Sequence, residues 1–377
     1  MESKKIAILT LPLHGNYGGN LQCYALCKVL QSMGHEVKNI NIQSKISLPW
    51  YKMPFSYSKR LIQKIFFKKK GSIFYEKKLH EIYKQNQTAR DFINKHIPLT
   101  KEYNNKKSLR NFDEKEFDVY IVGSDQVWRN AYVYPSIETY FFDFLKSENI
   151  KKIAYAASFG TDIGEFTGKQ LKKCGKLLQR FDAVSVREQS AIELINSYGW
   201  NCEAQHLLDP TFLLEKEDYL NLMDKNKINE FSENNLFYYV LDMNPDKQFI
   251  IDNLVKKEKL NAFTVNRLST KGENNLLPPV EKWLRGFFEA KMVFTDSFHG
   301  CVFSIIFNKP FIAYGNIDRG MTRFNSLFTL FDIKDRLIFS SKEFNFNQQV
   351  VIDWEDVNRR LIEKRKKSIK FLIDNLY

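Results

Sequence analysis

IAILTLPLHGNYGGNLQCYALCKVLQSMG, residues 6 to 34, joins a short apolar run to a glycine-containing turn and then to an amphipathic segment. The run IAILTL is typical of a buried strand. In LQCYALCKVLQSMG the apolar residues recur at intervals of three and four, as on one face of a helix. Gly34 follows, where glycine commonly ends a helix. The stretch therefore predicts a strand followed by a helix, which is the repeating unit of a parallel sheet covered by helices.

The same alternation occupies both halves of the chain. Further strands are predicted in the first half at VKNINI, DVYIVGS, KIAYAAS and AVSVRE, and in the second at LFYYVLDM, AFTVNRL, KMVFTDS and PFIAYG. The pair Asp209-Pro210 interrupts the pattern, because the residue before proline avoids helical geometry. We therefore predict an α/β protein of two doubly wound Rossmann-like domains, residues 1–206 and 207–350, which face each other across a cleft.

Two segments lie outside this alternation. Residues 50–112 are polar and basic, and their pattern indicates helices with few strands, so we interpret them as a helical insertion on the first sheet. Residues 351–377 predict a last helix that could cross back to the first domain.

Composition narrows the class of protein. The chain has 377 residues and a formal net charge of +13, an excess that favours anionic partners. No stretch approaches the roughly 20 apolar residues of a membrane-spanning helix, and we interpret the N-terminus as a first strand and not as a signal peptide. The five cysteines are scattered, which indicates a reducing cytoplasm and neither a disulfide framework nor a metal site.

Much of the positive charge lies in two runs, KRLIQKIFFKKK (59–70) and RRLIEKRKKSIK (359–370). The first run has six cations, no acid, and five large apolar residues: Leu61, Ile62, Ile65, Phe66 and Phe67. Two interpretations are open for it. One is a solvated helix, and the other is an interfacial segment that makes peripheral contact with an anionic membrane.

The turn HGNYGGNLQ (14–22) follows the first predicted strand. Its glycines allow tight backbone geometry, and it matches neither the dinucleotide-binding G-x-G-x-x-G pattern nor a P-loop, so NAD and ATP gain no support. One interpretation is an ordinary turn. The other is a substrate-facing loop, whose candidate binding residues are Asn16, Tyr17, Gly18, Gly19, Asn20 and Gln22.

Two more predicted strands of the first half end in polar residues. GSDQVW (123–128) places Ser124 and Asp125 at the carboxyl edge of the sheet, where Asp125 could orient a sugar hydroxyl or cap a following helix. SVREQS (185–190) places Arg187 at a strand end, and its planar fork suits a carboxylate or phosphate. The alternative for Arg187 is a salt bridge with Glu188 or Asp182.

TDSFHG (295–300) repeats this placement in the second half, with Asp296, Ser297 and His299 between a strand and a helix. A helix N-terminus favours anions, and histidine is the side chain best suited to proton transfer near neutral pH. Downstream, IDRGMTRFNSL supplies Arg319 and Arg323, which either close an anion pocket over His299 or belong to a solvated face.

With these residues together, the chain resembles the polysaccharide pyruvyl transferase family from about residue 5 to 340. The motifs that carry the resemblance are NYGGNLQCYAL, IVGSDQVWRN, SFG (158–160), SVREQS, LLDPTFLL and TDSFHGCVFSIIFNKPF. The resemblance implies a fold like that of the two-domain GT-B glycosyltransferases. It also implies transfer of pyruvate from phosphoenolpyruvate to a sugar of a bacterial surface polysaccharide, as a cyclic ketal. The acceptor would be an oligosaccharide on polyprenyl diphosphate, met from the cytoplasm.

The resemblance also implies roles for single residues. His299 would transfer the proton, with Asp125 and Asp296 as further catalytic candidates, and Arg187, Arg319 and Arg323 would bind phosphoenolpyruvate. No metal and no cofactor would be needed. In better-known members a basic residue stands two positions before the histidine, where this chain has Ser297.

Two other functions compete with this one. A GT-B glycosyltransferase that uses a nucleotide sugar would share the fold and the cleft. A nucleic-acid-binding protein is suggested by charge alone, but no stacking platform or binding motif accompanies it, so we predict no nucleic-acid partner.

Overall fold

The computed structural model describes residues 2–44, 53–66, 72–223, 235–265, 276–317, 320–346 and 351–377. Eleven strands are assigned there: β1 Lys5–Leu9, β2 Glu36–Asn39, β3 Val119–Val122, β4 Lys151–Ala157, β5 Ala183–Val186, β6 Ala204–His206, β7 Asn235–Tyr239, β8 Asn261–Phe263, β9 Met292–Thr295, β10 Phe311–Tyr314 and β11 Leu337–Ile338. The α-helices assigned there are α1 Tyr17–Ser32, α2 Met53–Phe66, α3 Tyr75–Gln85, α4 Gln87–His96, α5 Lys106–Leu109, α6 Gly168–Leu178, α7 Gln189–Ser197, α8 Lys216–Leu220, α9 Pro245–Glu258, α10 Val280–Glu289, α11 Phe298–Ile306, α12 Thr322–Phe331 and α13 Trp354–Leu376.

The strands form two parallel sheets, one in each half of the chain. The first sheet has the order β2-β1-β3-β4-β5-β6 and the second β11-β10-β9-β7-β8. The strand order therefore reverses between β1 and β3 in one sheet, and between β7 and β9 in the other. Crevices beyond the carboxyl ends of strands at such reversals are where open α/β sheets bind ligands.

Alternate residues of each strand face opposite sides of its sheet. In β1, Ile6 and Ile8 belong to one hydrophobic cluster and Ala7 and Leu9 to another, so both faces of the sheet are covered. The cluster that contains Ile8 also contains Phe237 of β7. The two domains thus share one core, and the predicted pair of Rossmann-like domains is confirmed.

Aromatic packing joins the domains beside the first turn of α1. Tyr17 stacks on Trp283 of α10 with 5.2 Å between ring centroids, and its hydroxyl donates to the Pro278 carbonyl oxygen at 2.6 Å. Only 3 % of Tyr17 is exposed. The structure therefore places Tyr17 in the domain interface, where its ring and hydroxyl are engaged by protein groups, and not on a substrate-facing loop.

Helices α2 to α5 lie within the predicted insertion, and α4 packs on α1 through the rings of Phe92 and Tyr24. The last helix, α13, contacts the first domain. Its Phe371 lies against Tyr155 of β4, and the Tyr377 hydroxyl at its end lies 3.1 Å from His35 Nε2. In the part of the chain that the structure describes, no helix is long and apolar enough to cross a membrane.

Strands β6 and β11 were not predicted from the sequence. They have three and two residues, which is too short for an alternating pattern to emerge. The predicted strand AFTVNRL is realised only by β8, and its last three residues, 266–268, lie outside the described ranges.

Candidate functional site

The carboxyl ends of the two sheets meet at the first turn of α1. Asn16 caps this helix by accepting from the Gly19 backbone N–H, so its side chain is used for capping. The backbone of Gly18 lies against the ring of His299 from the second domain, since a Cβ at Gly18 would lie 2.0 Å from His299 Nδ1. Only glycine allows α1 to approach the histidine this closely.

His299 is the second residue of α11, and Ser297 caps that helix through its hydroxyl and the Gly300 backbone N–H. The histidine is 8 % exposed, and its Nε2 lies 3.8 Å from Asp209 Oδ2. Burial lowers the pKa of His299 to about 4, despite the opposing attraction of Asp209. The imidazole is therefore neutral near pH 7 in the unliganded protein.

Arg187 and Asp209 form a buried ion pair below this histidine. Arg187 Nη1 donates to Asp209 Oδ2 at 2.6 Å, and the side chains are 2 % and 1 % exposed. Burial alone would raise the pKa of Asp209, but Arg187, His299 and the Thr211 hydroxyl together more than offset it, and the pKa lies below its usual value. Within the described residues, Arg187 Nε and Nη2 make no hydrogen bond, so Arg187 has donors to spare for a ligand.

A second buried guanidinium lies close by. Arg187 and Arg323 both face the ring of Phe298, at 4.7 and 5.6 Å from its centroid. Burial, and next the positive charge of Arg187, lower the pKa of Arg323 to about 10. Two buried guanidinium groups in one region favour an anionic ligand beside them.

Asp125 adjoins both the arginine and α1. Its Oδ1 lies 3.8 Å from Arg187 Nη2 and accepts from the Gln126 backbone N–H at 2.9 Å. Asp125 has a φ of 78°, a left-handed conformation that turns the chain sharply at the end of β3. It caps no helix, because in the fully described segment 123–137 the next helical element begins only at Ile137.

Other candidates from the sequence are engaged at least partly by the protein itself. Gln22 donates to the Thr10 hydroxyl and the Gly19 carbonyl, and Asn20 donates to the His14 carbonyl. The side-chain oxygens of Gln22 and Asn20 make no hydrogen bond within the described residues. Ser124 donates to Asp209 at 3.1 Å and so supports the ion pair. Arg319 lies outside the described residues.

Asp296 was expected from the sequence to be catalytic, but its carboxylate is engaged in structural contacts. Its carboxylate accepts from the backbone N–H groups of Leu241 and Asp242, and from Lys247 Nζ at 2.7 Å. The two charged side chains are almost completely buried. This pair ties the end of β9 to the loop between β7 and α9.

Asp209 and Glu188 were missed as site residues in the sequence. Asp209, and not Glu188 or Asp182, is the main partner of Arg187. Glu188 Oε1 accepts from the Ser158 hydroxyl and from the backbone N–H groups of Phe159 and Gly160, which holds the SFG loop in place. A signal existed for Asp209, because an acid flanked by apolar residues in LLDPTFLL must find a partner if it is buried.

Replacing Gly18 with alanine should disturb the site. The new Cβ would overlap the His299 ring, and such overpacking costs about 1–3 kcal/mol of unfolding free energy. We expect a lower thermal unfolding midpoint. Gly168→Ala is the matched control, because a Cβ there meets nothing within 4 Å. Equal thermal unfolding midpoints for the two variants would contradict the close approach of Gly18 to the His299 ring.

Replacing Asp296 with asparagine tests its structural role. The change leaves the buried Lys247 ammonium without its charge partner, which costs about 3–5 kcal/mol. Asp332→Asn, at an exposed pair with Arg360, should cost under about 1 kcal/mol. Thermal unfolding compares the two. An Asp296→Asn variant as stable as the wild type would restore the catalytic interpretation.

Solved structures with two-domain folds align along most of the chain. An alpha-glucosyltransferase in complex with UDP shares 10 % identity, with 98 % of this chain and 95 % of that chain covered and a TM-score of 0.46. A putative UDP-N-acetylglucosamine 2-epimerase from Listeria monocytogenes shares 9 %, with coverages of 96 % and 95 % and a TM-score of 0.49. The spinosyn forosaminyltransferase SpnP shares 9 %, with coverages of 98 % and 95 % and a TM-score of 0.43.

A comparison with curated protein sequences gave no match. A sequence model of one family, described as polysaccharide pyruvyl transferase, matches residues 16–319. That range includes the first turn of α1, the Arg187–Asp209 pair and His299. The chain belongs to the polysaccharide pyruvyl transferase family.

Proposed function

We propose that the protein transfers the pyruvyl group of phosphoenolpyruvate to a sugar of a lipid-linked surface polysaccharide unit and forms a cyclic ketal. The family supplies the class of reaction, a transfer that involves a polysaccharide. The observation that carries the choice of donor is the pair of buried guanidinium groups, Arg187 and Arg323, which both lie near the ring of Phe298.

Phosphoenolpyruvate carries two anionic groups that guanidinium groups can bind. It is small and carries a phosphate and a carboxylate, each of which a guanidinium can bind through two parallel N–H groups. Arg187 has two nitrogen donors beyond the one that binds Asp209. Arg319 stays a predicted third cation, since it lies outside the described residues.

Ketal formation begins with a proton added to the methylene carbon of the donor. One sugar hydroxyl attacks the resulting oxocarbenium centre, phosphate leaves, and a second hydroxyl closes the ring. The two hydroxyl protons balance the one taken by carbon and the one taken by phosphate. His299 is the proposed proton donor, and Asp125 the proposed acceptor of a hydroxyl proton.

The low pKa of free His299 makes its protonation depend on the donor. An anion held by Arg187 and Arg323 raises the pKa of a neighbouring imidazole, because it stabilises the charged form. Asp209, at 3.8 Å from Nε2, stabilises the imidazolium further. The enzyme would therefore acquire its acid as phosphoenolpyruvate binds.

We expect phosphate release from phosphoenolpyruvate when lipid-linked oligosaccharides or aryl glycosides are supplied. His299→Gln should lower kcat by about 10²-fold or more, and calorimetry in buffers of different ionisation enthalpy should detect proton uptake on donor binding only in the wild type. His80→Gln, on exposed helix α3, is the control and should behave as the wild type. Release of a nucleoside diphosphate from a nucleotide sugar, without consumption of phosphoenolpyruvate, would favour the glycosyltransferase alternative.

Helix α2 bears on where the protein meets its acceptor. No described residue of this helix is buried. One side is attached to α3, since Arg60 Nη1 donates to Glu76 at 2.6 Å and Tyr57 packs on Phe74. The opposite side presents three large apolar side chains to solvent: Phe55 at 83 %, Ile62 at 51 % and Phe66 at 75 % exposed.

We propose that this face of α2 docks on an anionic bilayer. The helix has no acid, and Lys59 lies beside the apolar side chains, a charge pattern that complements anionic lipid headgroups. Each cation near such a surface contributes about 1 kcal/mol, which suits reversible docking. Phe67 and Lys68 to Lys70, which extend the basic run, lie outside the described residues.

Sedimentation with vesicles tests this docking. The wild type should bind phosphatidylcholine vesicles that contain phosphatidylglycerol, and binding should weaken with salt. The double variant Ile62→Ser and Phe66→Ser should lose binding, because the apolar area is removed. Ile163→Ser with Val351→Ser, at two other exposed apolar sites, is the control. Equal recovery on neutral and anionic vesicles, or no effect of the α2 changes, would contradict the proposal.

A further inference from the structure

A polar groove lies beside the buried arginines, between α7 of the first domain and α12 of the second, with α13 along one side. We call it the α7–α12 groove. Its volume is about 530 Å³, within the range of roughly 300–1,000 Å³ typical of small-molecule sites. Gln189 and Ser326 join its two walls, since the Gln189 backbone N–H donates to the Ser326 hydroxyl at 3.1 Å.

The lining of the groove suits a ligand rich in hydroxyl groups. Side chains that can donate, accept or do both surround it, and Leu330 is the one apolar residue among the described lining residues. The formal charges are balanced, because Asp162 and Glu193 face Arg360 and Lys364. A compact anion would need an excess of cations in the lining, and a lipid chain would need mostly apolar side chains. The lining residues of the groove have neither property.

Two hydroxyl groups in the lining point to a ligand. Ser190 Oγ and Thr322 Oγ1 are buried and make no hydrogen bond within the described residues. Thr322 is 8 % exposed as a whole. Buried hydroxyl groups are usually hydrogen-bonded, so a polar molecule in the groove would supply partners that the protein does not.

The groove shares part of its lining with the anion site. Ser190 and Thr322 belong to the segments that carry Arg187 and Arg323. His206 and Leu330 line both the groove and the narrow crevice that contains Arg187, Asp209 and Arg323. The His206 ring is fixed there, with Nε2 at 3.0 Å from the Arg187 carbonyl oxygen. A ring held in the groove would therefore lie next to the segments that carry the arginines.

We infer that the α7–α12 groove is the binding site of the acceptor, and that it holds an uncharged pyranose ring between the N-terminal turns of α7 and α12. This inference rests on the proposed transfer to a sugar and adds the location and chemical class of the acceptor. Ser190 and Thr322 would then form hydrogen bonds with hydroxyl groups of the sugar ring. Both domains contribute to the site, so the acceptor would bind only when they are docked.

Saturation-transfer NMR with methyl glycosides tests the inference without requiring turnover. The probes are methyl hexopyranosides of gluco, galacto and manno configuration and their 2-acetamido derivatives, at millimolar concentration. At least one should bind the wild type. Thr329→Trp and Asn325→Trp should weaken that binding about tenfold or more, because both positions are exposed on the groove wall and a larger side chain fills it. Asn196→Trp, at an exposed position of α7 outside the lining, is the control and should bind as the wild type.

The outcomes separate this inference from the proposed function. Binding by none of the six glycosides, or equal binding by the wild type and both groove variants, overturns the acceptor site. Phosphate release from phosphoenolpyruvate is measured separately in the same proteins. The wild type could bind a glycoside, lose that binding in the groove variants, and still not consume phosphoenolpyruvate. That result would support the sugar site and refute phosphoenolpyruvate as the donor.

Discussion

The buried ion pair of Arg187 and Asp209 is the interaction on which the site depends. Asp209 lies where the chain leaves the first domain, and it gathers the Ser124 hydroxyl from β3, the Thr211 hydroxyl, and the guanidinium from the end of β5. His299 approaches the same carboxylate from the second domain. Since an unpaired charge would be very costly at this depth, the pair fixes how these segments meet. The positions of the proposed acid and of the proposed anion site follow from it.

Burial at the site is costly for charged groups in the protein alone. Asp209 pairs with Arg187, and Arg323 is a second buried guanidinium near Phe298, whose lowered pKa reflects the cost of its burial. A bound anion would relieve that cost. The bound anion would also raise the pKa of His299. Donor binding and acid catalysis would therefore be coupled electrostatically.

Close backbone approach between the domains makes this arrangement possible. Gly18 leaves room for the His299 ring, and Gly320 leaves room for the Gly160 carbonyl oxygen, which would lie 2.2 Å from a Cβ at Gly320. The shared hydrophobic core behind these contacts holds the two sheets together. At the seam between the domains, the anion crevice adjoins the charge-balanced, hydrogen-bonding groove.

The sequence by itself determined the α/β class, the two-domain division, helix α1 and the strand ends at which Asp125, Arg187 and His299 lie. These features follow from periodic burial and from turn residues, which act over a few neighbouring positions. Only the tertiary structure decided which partner each polar group has. Arg187 pairs with Asp209, 22 residues away, and Lys247 takes Asp296, 49 residues away. Tyr17 and Trp283 likewise meet across the domain interface. Local patterns place a charge or a ring on a face of its element, but its partner depends on which faces the packed core brings together.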